Sequence, residues 1–425
     1  MKKLLFLLCA VWTAGATDAA AQRQLIDIHT DDVSLLLRAA PGEEVQLLHF
    51  GGRIDDPAPL AAYESYRNPN HNTEDVAYPT FGGRNYHEAA LRVTHADGDL
   101  NTELKYLTRE TQQLADDNVT RTVIHTTDAV QALDVDLVYT TYARENVITT
   151  HAEIRNREKG TVILHSFYSS ALPLRAGKYL LTHLHGAWTH EAQVEHTLLT
   201  HGSKSIASIR GVRTTHAENP SFMLTLGSDR FDEASGEVVA GTLAWSGNFR
   251  LNFEVDECRT LNILAGINPE GSEYRLHRGE TFTTPEMIYT HSTAGAGGAS
   301  RNLHDWGRNY GIWNGHTPAP TLLNSWEGAA FRFNAKILTD MIDDAAAMGL
   351  EMFVLDDGWF GNKYPRNNDK AGLGDWEVNR EKLPEGIDYI ASYAHDKGLK
   401  VGIWIEPEMG NPKSELAEKH PDWIV

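Results

Sequence analysis

Cysteine is nearly absent from the 425-residue chain, which holds only Cys9 and Cys258. Cys9 lies in a segment expected to be removed, so the mature chain would keep one thiol and no intrachain disulfide. Cys258, in VDECRTLNI, is expected to be a small packed residue of a strand. Positive charge is also scarce. Lys and Arg number 38 against 58 Asp and Glu, a formal net charge of −20. A phosphate-binding face needs clustered Lys and Arg, so the balance argues against nucleic acid and anionic membrane surfaces as partners. No block of like charge is long enough to suggest a disordered tail. No apolar run is long enough to span a bilayer as a helix, and no membrane insertion is expected. What remains suits a protein acting on a neutral ligand, long enough for two or three domains.

The one marked apolar run, Leu4 to Trp12, follows Lys2 and Lys3 and leads to Ala19-Ala20-Ala21. That order is a secretory signal, residues 1–21, with cleavage after Ala21. The alternative for the run is a short buried helix. Leu7-Leu8-Cys9 lacks the small residue that a lipoprotein signal places before its Cys. Export to the periplasm or the outside is therefore expected, without a lipid anchor.

From residue 22 to 293 the dominant period is two. Phe249 to Val255 and Leu133 to Leu137 alternate cleanly; Val147 to Ile154 and Val238 to Trp245 do so less strictly. Turn clusters at Asp97-Gly98-Asp99, Ser235-Gly236 and Arg278-Gly279-Glu280 separate them. Many short alternating strands predict antiparallel sheets packed as a sandwich, each with one buried and one wet face. Residues 294–319 read as a helical linker: a small-residue hinge, then a helix capped by Ser300 and running through Leu303, Trp306 and Tyr310.

Residues 320–425 change period. A short strand ends at Trp326. A helix capped by Asn334 presents Ile337, Met341, Ile342, Ala345 and Met348, and Gly349 stops it. The strand MFVL follows, then a helix after Pro384 carrying Ile387, Ile390, Ala391 and Ala394, stopped by Gly398. KVGIWI is a third buried strand. Pro412 opens a third helix and Pro421 ends it. Strand and helix alternating three times predict parallel βα units.

Ligands of parallel α/β folds bind at the carboxyl ends of the strands. The three ends here are Asn324-Ser325-Trp326-Glu327, Asp356-Asp357-Gly358-Trp359 and Trp404-Ile405-Glu406-Pro407-Glu408. The loop Gly374-Asp375-Trp376 adds another acid and another indole. Neighbouring strand residues face opposite ways, but a turn at Gly358 would let both aspartates face one pocket. Ionised carboxylates only accept hydrogen bonds, which suits a ligand rich in vicinal hydroxyls. Indoles offer apolar faces to the C–H side of a pyranose. Acids and indoles together read as a sugar site. Either aspartate could instead form an Asx-turn. Asp356, Asp357, Glu406 and Glu408 could also hold Mg²⁺ or Ca²⁺, although aromatics crowd the same rim. His183, His185 and His190 lack the Cys or third close ligand that would complete a zinc site. No metal or cofactor is expected.

The runs NSWEGAAFRFN, FVLDDGWFG, GDWEVNREKLPEGI, GLKVGIWIEPEM and HPDW resemble the α-galactosidases of glycoside hydrolase family 36 in order and spacing. YPTFGG, LHGAW, RGVRTTHAENP, LAGINPE and GETFTTPE agree, so the resemblance covers nearly all of the expected mature chain. It implies a β-supersandwich followed by a (β/α)₈ barrel. It implies retaining hydrolysis of terminal α-galactosyl residues, as in melibiose, raffinose and galactomannan. It implies that Asp356 and Asp357 bind galactose hydroxyls, that Trp326 and Trp404 wall the pocket beside Trp376, and that Trp188 closes it from the sandwich. It implies a homo-oligomer, tetrameric in relatives. Glu406 and Glu408 lie in a family motif to which the resemblance assigns no catalytic role, and orienting their neighbours is the alternative. Relatives carry a Gly-Asp-Tyr-Arg-like stretch where this chain has Arg84-Asn85-Tyr86-His87, which leaves the leaving-group preference and the assembly open.

A (β/α)₈ barrel takes about 250 residues, and residues 320–425 suffice for roughly three of its eight units. The resemblance places the aspartate nucleophile in a Lys-x-Asp-x-Asn-Arg-like motif on the fourth strand, and the acid/base later. Neither precedes Val425. The chain is therefore expected to be a fragment without turnover, cut within its catalytic barrel. The alternatives are an α-N-acetylgalactosaminidase or galactosyl transferase on the same scaffold, or a galactoside-binding product without catalysis.

Overall fold

The computed structural model describes residues 23–63, 75–83, 85–211 and 217–424. The expected signal segment and Arg84 lie outside them. The chain divides into two compact units, one ending at Trp313 and the other beginning at Asn314.

The first unit is built from antiparallel strands. Gln24–His29, Val33–Ala39 and Gln46–Gly52 form a three-stranded meander. A ten-stranded sheet runs in the order His190–Leu198, Tyr179–Ala187, Glu218–Leu226, Glu237–Leu243, Met287–Ser292, Val147–Asn156, Leu133–Tyr142, Val119–Asp128 and Leu104–Gln113. Its tenth strand, Thr281–Thr283, also pairs with Val147–Asn156. A six-stranded sheet orders Gly202–Ala207, Phe249–Val255, Leu261–Ile267, Val162–Leu174 and Tyr274–Leu276, with Leu91–Thr94 also on Val162–Leu174. One apolar core draws on all three sheets.

The alternation expected of Leu133–Leu137 holds: Leu133, Val135 and Leu137 are buried and the aspartates between them are not. Phe249–Val255 departs from a wet second face. Asn252 is buried, because its amide donates to Glu88 and accepts from Ser205 Oγ at 2.8 and 2.7 Å. A satisfied amide can be buried where a bare one cannot. Cys258 is not packed but exposed. The side chain of Asp256 accepts from the amides of Cys258 and Thr260 at 2.8 and 2.7 Å, which turns the chain there and points the thiol outward. Among the described residues no group of three or more His, Cys, Asp or Glu is set to hold a metal ion.

Ser300 does not cap a helix; it lies inside one, Gly295–Trp306. The helix starts earlier because the amides of Ala296 and Gly297 find the carbonyls of Asp232 and Glu233. Gly295 reaches that geometry at φ +69°, and a side chain there would meet backbone at 2.6 Å. Ala299 and Leu303 then pack on Val238, Ala240 and Met223.

The second unit holds three parallel strands, Leu322–Asn324, Met352–Leu355 and Lys400–Ile403, with the second in the middle. They form an open sheet; no closed barrel is present among the described residues. Helices Ala335–Ala347 and Ile387–Asp396 link them, ended by Gly349 and Gly398 at φ +76° and +81°. The first helix buries Leu338, Ile342 and Ala345, while Ile337 and Met348 stay exposed. Met341, Ile342 and Ala345 hold to the expected face, and Leu338 takes the inward place expected of Ile337. The last of the three expected helices is short, Glu415–Lys419, and is capped by Ser414 and not opened by Pro412.

Asn334 accepts from the amide of Ile337 at 3.1 Å, as an N-cap does. Asn334→Ala should destabilise the unit by about 1 kcal/mol. Urea titration of the two proteins checks this, and a difference near zero would make the cap dispensable.

Candidate functional site

Parallel pairing sends all three strand ends to one side. The first two are joined there by side chains. Asn324 Nδ2 donates to Asp356 Oδ2 at 2.6 Å, and Asn324 Oδ1 accepts from the amide of Trp326 at 2.7 Å. The Asp356 amide donates to Ser325 Oγ at 3.0 Å. Asp356 Oδ1 accepts from the next amide, that of Asp357, at 2.7 Å. Asp356 therefore holds the amide of its immediate neighbour, one residue short of an Asx-turn, and also ties two strand ends together. It is only partly buried.

Gly358 turns the chain at φ +103°, with Phe331 and Phe333 closing off the space a side chain would need. The turn leads Asp357 into the protein, where it is buried. Its partner is Arg366, also buried. Arg366 Nε lies 3.0 and 3.2 Å from the two carboxylate oxygens, and Nη2 lies 2.8 Å from Oδ2. The remaining guanidinium nitrogen donates to Asn368 O, Ala371 O and Asn411 Oδ1 at 3.2, 3.4 and 3.1 Å. Such two-pronged charge-assisted contacts fix orientation as well as add energy. The two aspartates are thus unlike: Asp356 sits at the rim and Asp357 is locked beneath it.

Lys382 is a second feature that sequence reasoning missed. Its ammonium donates to the carbonyls of Gly358, Phe331 and Arg366 at 2.7, 3.0 and 3.1 Å. Burial brings its pKa down to about 8, against the opposing pull of Asp357 and Glu381.

The aromatic residues form a cluster of four, Trp359, Phe360, Trp376 and Trp404, and a separate pair, Trp326 and Phe331. Trp359 is buried and donates its indole N–H to Trp404 O at 3.0 Å. Phe360 packs on Trp376 with centroids 4.6 Å apart and lies nearly parallel to Trp404. Trp376 and Trp404 are 6.3 Å apart, and both are only partly buried. Trp326 packs edge-on against Phe331 at 4.9 Å. Trp326, Trp376 and Trp404 accordingly belong to the second unit with the acid pair. Trp188 belongs to the first unit, at an exposed hairpin tip between Tyr179–Ala187 and His190–Leu198.

Asp375 is not a rim acid. Its two oxygens accept from the amides of Glu415 and Leu416 at 2.9 and 3.0 Å, at the start of the last helix. Orphan amides there favour an anion. Glu408 is exposed and Glu406 partly buried. His183 is buried, with its ring 6.1 Å from that of His185; His190 is exposed on the next strand. Next to Arg84, Tyr86 is exposed and His87 Nε2 receives a hydrogen bond from Asn262 at 2.9 Å.

Residues 43–277 match the family model described as Glycosyl hydrolase family 36 N-terminal domain, and residues 281–425 match the one described as Melibiase. The chain is 35% identical to alpha-galactosidase AgaA of Geobacillus stearothermophilus over 364 residues, 82% of this chain and 49% of that protein. It is 30% identical to alpha-galactosidase 2 of Pediococcus pentosaceus over 94% of this chain and 58% of that one. A crystal structure of the Geobacillus AgaA in complex with stachyose superposes at a TM-score of 0.88 and 31% identity, covering 95% of this chain and 59% of that chain. The chain thus spans about half the length of the curated relatives it matches.

Proposed function

The chain belongs to glycoside hydrolase family 36, and on that footing we propose that the protein it forms part of is a retaining α-galactosidase. Its substrates are terminal α-galactosyl residues of melibiose- and raffinose-type oligosaccharides or of galactomannan. The observation that carries this reading is Asp356, an acceptor held by Asn324 and Ser325 at a rim shared with Trp326, Trp376 and Trp404. A carboxylate fixed by its neighbours meets sugar hydroxyls without reorganising. The stachyose bound by the Geobacillus enzyme is a ligand of the same chemistry.

A retaining glycosidase works with two carboxyls about 5 Å apart, one attacking the anomeric carbon and one serving as acid and then base. Asp357 is held by Arg366 and Asp356 by Asn324, so the pair serves as hydroxyl acceptor and its support. The nucleophile and acid/base are assigned to strands following the third in a (β/α)₈ barrel. Leu322 is exposed on one outer strand of the sheet, as are Ile403 and, just past it, Ile405 on the other, which suits neighbours there. The antiparallel sheets of the first unit are the β-supersandwich of this reading. Residues 1–21 are its export signal, and the enzyme is a homo-oligomer.

The 425-residue chain alone should bind galactose and show no turnover of nitrophenyl α-galactoside. Turnover would place both catalytic carboxyls within it and refute the assignment. The complete protein should cleave that substrate, release α-galactose first by NMR, and prefer it to the N-acetylgalactosaminide. The opposite preference would favour the α-N-acetylgalactosaminidase.

A further inference from the structure

We propose that Lys382 is a positioning residue of the galactoside rim, a three-way strut that fixes the acid-bearing turn against its two flanking loops. This rests on reading the rim as a sugar site. The three carbonyls it meets come from three segments. Phe331 follows the first strand, Gly358 follows the acid pair, and Arg366 is the partner of Asp357. An ammonium has three protons, and all three are used. Phe333 lies beneath, with its centroid 4.9 Å from Nζ.

The strut is itself held in place. Asn379 Oδ1 accepts from the amides of Glu381 and Lys382, both at 3.0 Å, and Asn379 Nδ2 donates to Gly361 O at 2.8 Å. The Lys382 carbonyl accepts from the Ala335 amide at 3.2 Å. One side chain therefore sets the distance between the loop of the first strand and the turn that presents Asp356 and Asp357.

The charged groups around Lys382 are Asp357 and Glu381, which favour its proton. The Arg366 guanidinium is already paired with Asp357. Burial outweighs them and brings its deprotonation to about 8. A neutral amine has two protons, so one carbonyl then loses its donor and the turn loosens. The effect on global stability has the other sign. The unfolded chain holds this proton up to the ordinary lysine range of about 10.4. Between the two values the unfolded state binds more protons, so this group's contribution to stability rises with pH. A loss of sugar affinity in that window is therefore not unfolding caused by Lys382.

The test uses the complete protein and its Lys382→Met and Lys382→Arg variants. Galactose affinity is measured by calorimetry from about pH 7 to about pH 9, with a thermal melt at each point. The wild type should weaken on the order of tenfold across this window. A folded Lys382→Met should have the weak affinity throughout and no pH dependence. Lys382→Arg cannot lose its charge and should also be flat. Wild-type affinity in a folded Lys382→Met overturns the proposal, as does an unchanged alkaline limb in either variant. If the wild type binds no galactoside, the reading of the rim fails. The strut is then judged by amide exchange at residues 356–361, which should be faster in Lys382→Met. Unchanged exchange there overturns it.

Discussion

Arg366→Met should destabilise the second unit by about 3–5 kcal/mol and abolish galactoside binding. Arg366 and Asp357 are both buried, with side chains 5% and 7% exposed. Methionine has similar length and no donor, so the Asp357 carboxylate would remain in the interior without its cation. The cost is the penalty of an unpaired buried charge, which far exceeds what an exposed ion pair contributes. Asn411 and the carbonyls of Asn368 and Ala371 would lose their donor as well.

The double variant Asp357→Leu/Arg366→Met separates stability from recognition. Replacing both members of a buried pair by apolar groups is often neutral. Most of the lost stability should return while galactose affinity does not. Urea titration followed by the fluorescence of Trp359, Trp376 and Trp404 reads the first quantity, and calorimetry reads the second. A single variant within about 1 kcal/mol of wild type would show that water reaches Asp357 and that the pair is not truly buried.

That pair also shows where sequence reasoning stops. The strand MFVL, its terminal acids and the flanking helices were legible because their signals are local: a period, a cap, a glycine. The rule for strand ends then brought Asn324, Asp356 and Trp404 to one side without any structure. The partner of Asp357 was not legible. Lys363, Arg366 and Lys370 all follow it, and only the fold selects among them. Lys363 pairs with Glu418 at 2.6 Å, far along the chain, and Lys370 is exposed. Asp375 was misread for the same reason, since the amides it caps come from residues 415 and 416. Cys258 was misread for a different one. Strand-like neighbours concealed the hairpin that Asp256 closes within four residues. Lys382 lies inside GDWEVNREKLPEGI and gives no chemical signal, because its partners are backbone carbonyls that any sequence possesses.

Asp356→Asn is the sharper test of recognition. The substitution keeps size and removes the charge, and one of the two oxygens becomes an N–H₂ group. Asp356 now accepts from Asn324 through Oδ2 and from the Asp357 amide through Oδ1. An asparagine cannot accept on both sides, so one of these donors is left facing another donor. The rim also loses lone pairs offered to sugar hydroxyls. A site built to hydrogen-bond a hydroxyl discriminates strongly, because its polar groups are otherwise left unpaired. The complete enzyme should therefore lose about 10²–10³-fold in kcat/KM toward nitrophenyl α-galactoside. Its melting temperature should move far less than in Arg366→Met, because Asp356 is only partly buried. Asn324→Ala, which frees Asp356 Oδ2 without changing the acid, should lose about tenfold by letting the carboxylate swing. That ordering, with the acid worth more than its support, is what a hydroxyl acceptor requires. Equal losses would make Asp356 a structural link between two strand ends, and the sugar-binding role would fall to residues elsewhere.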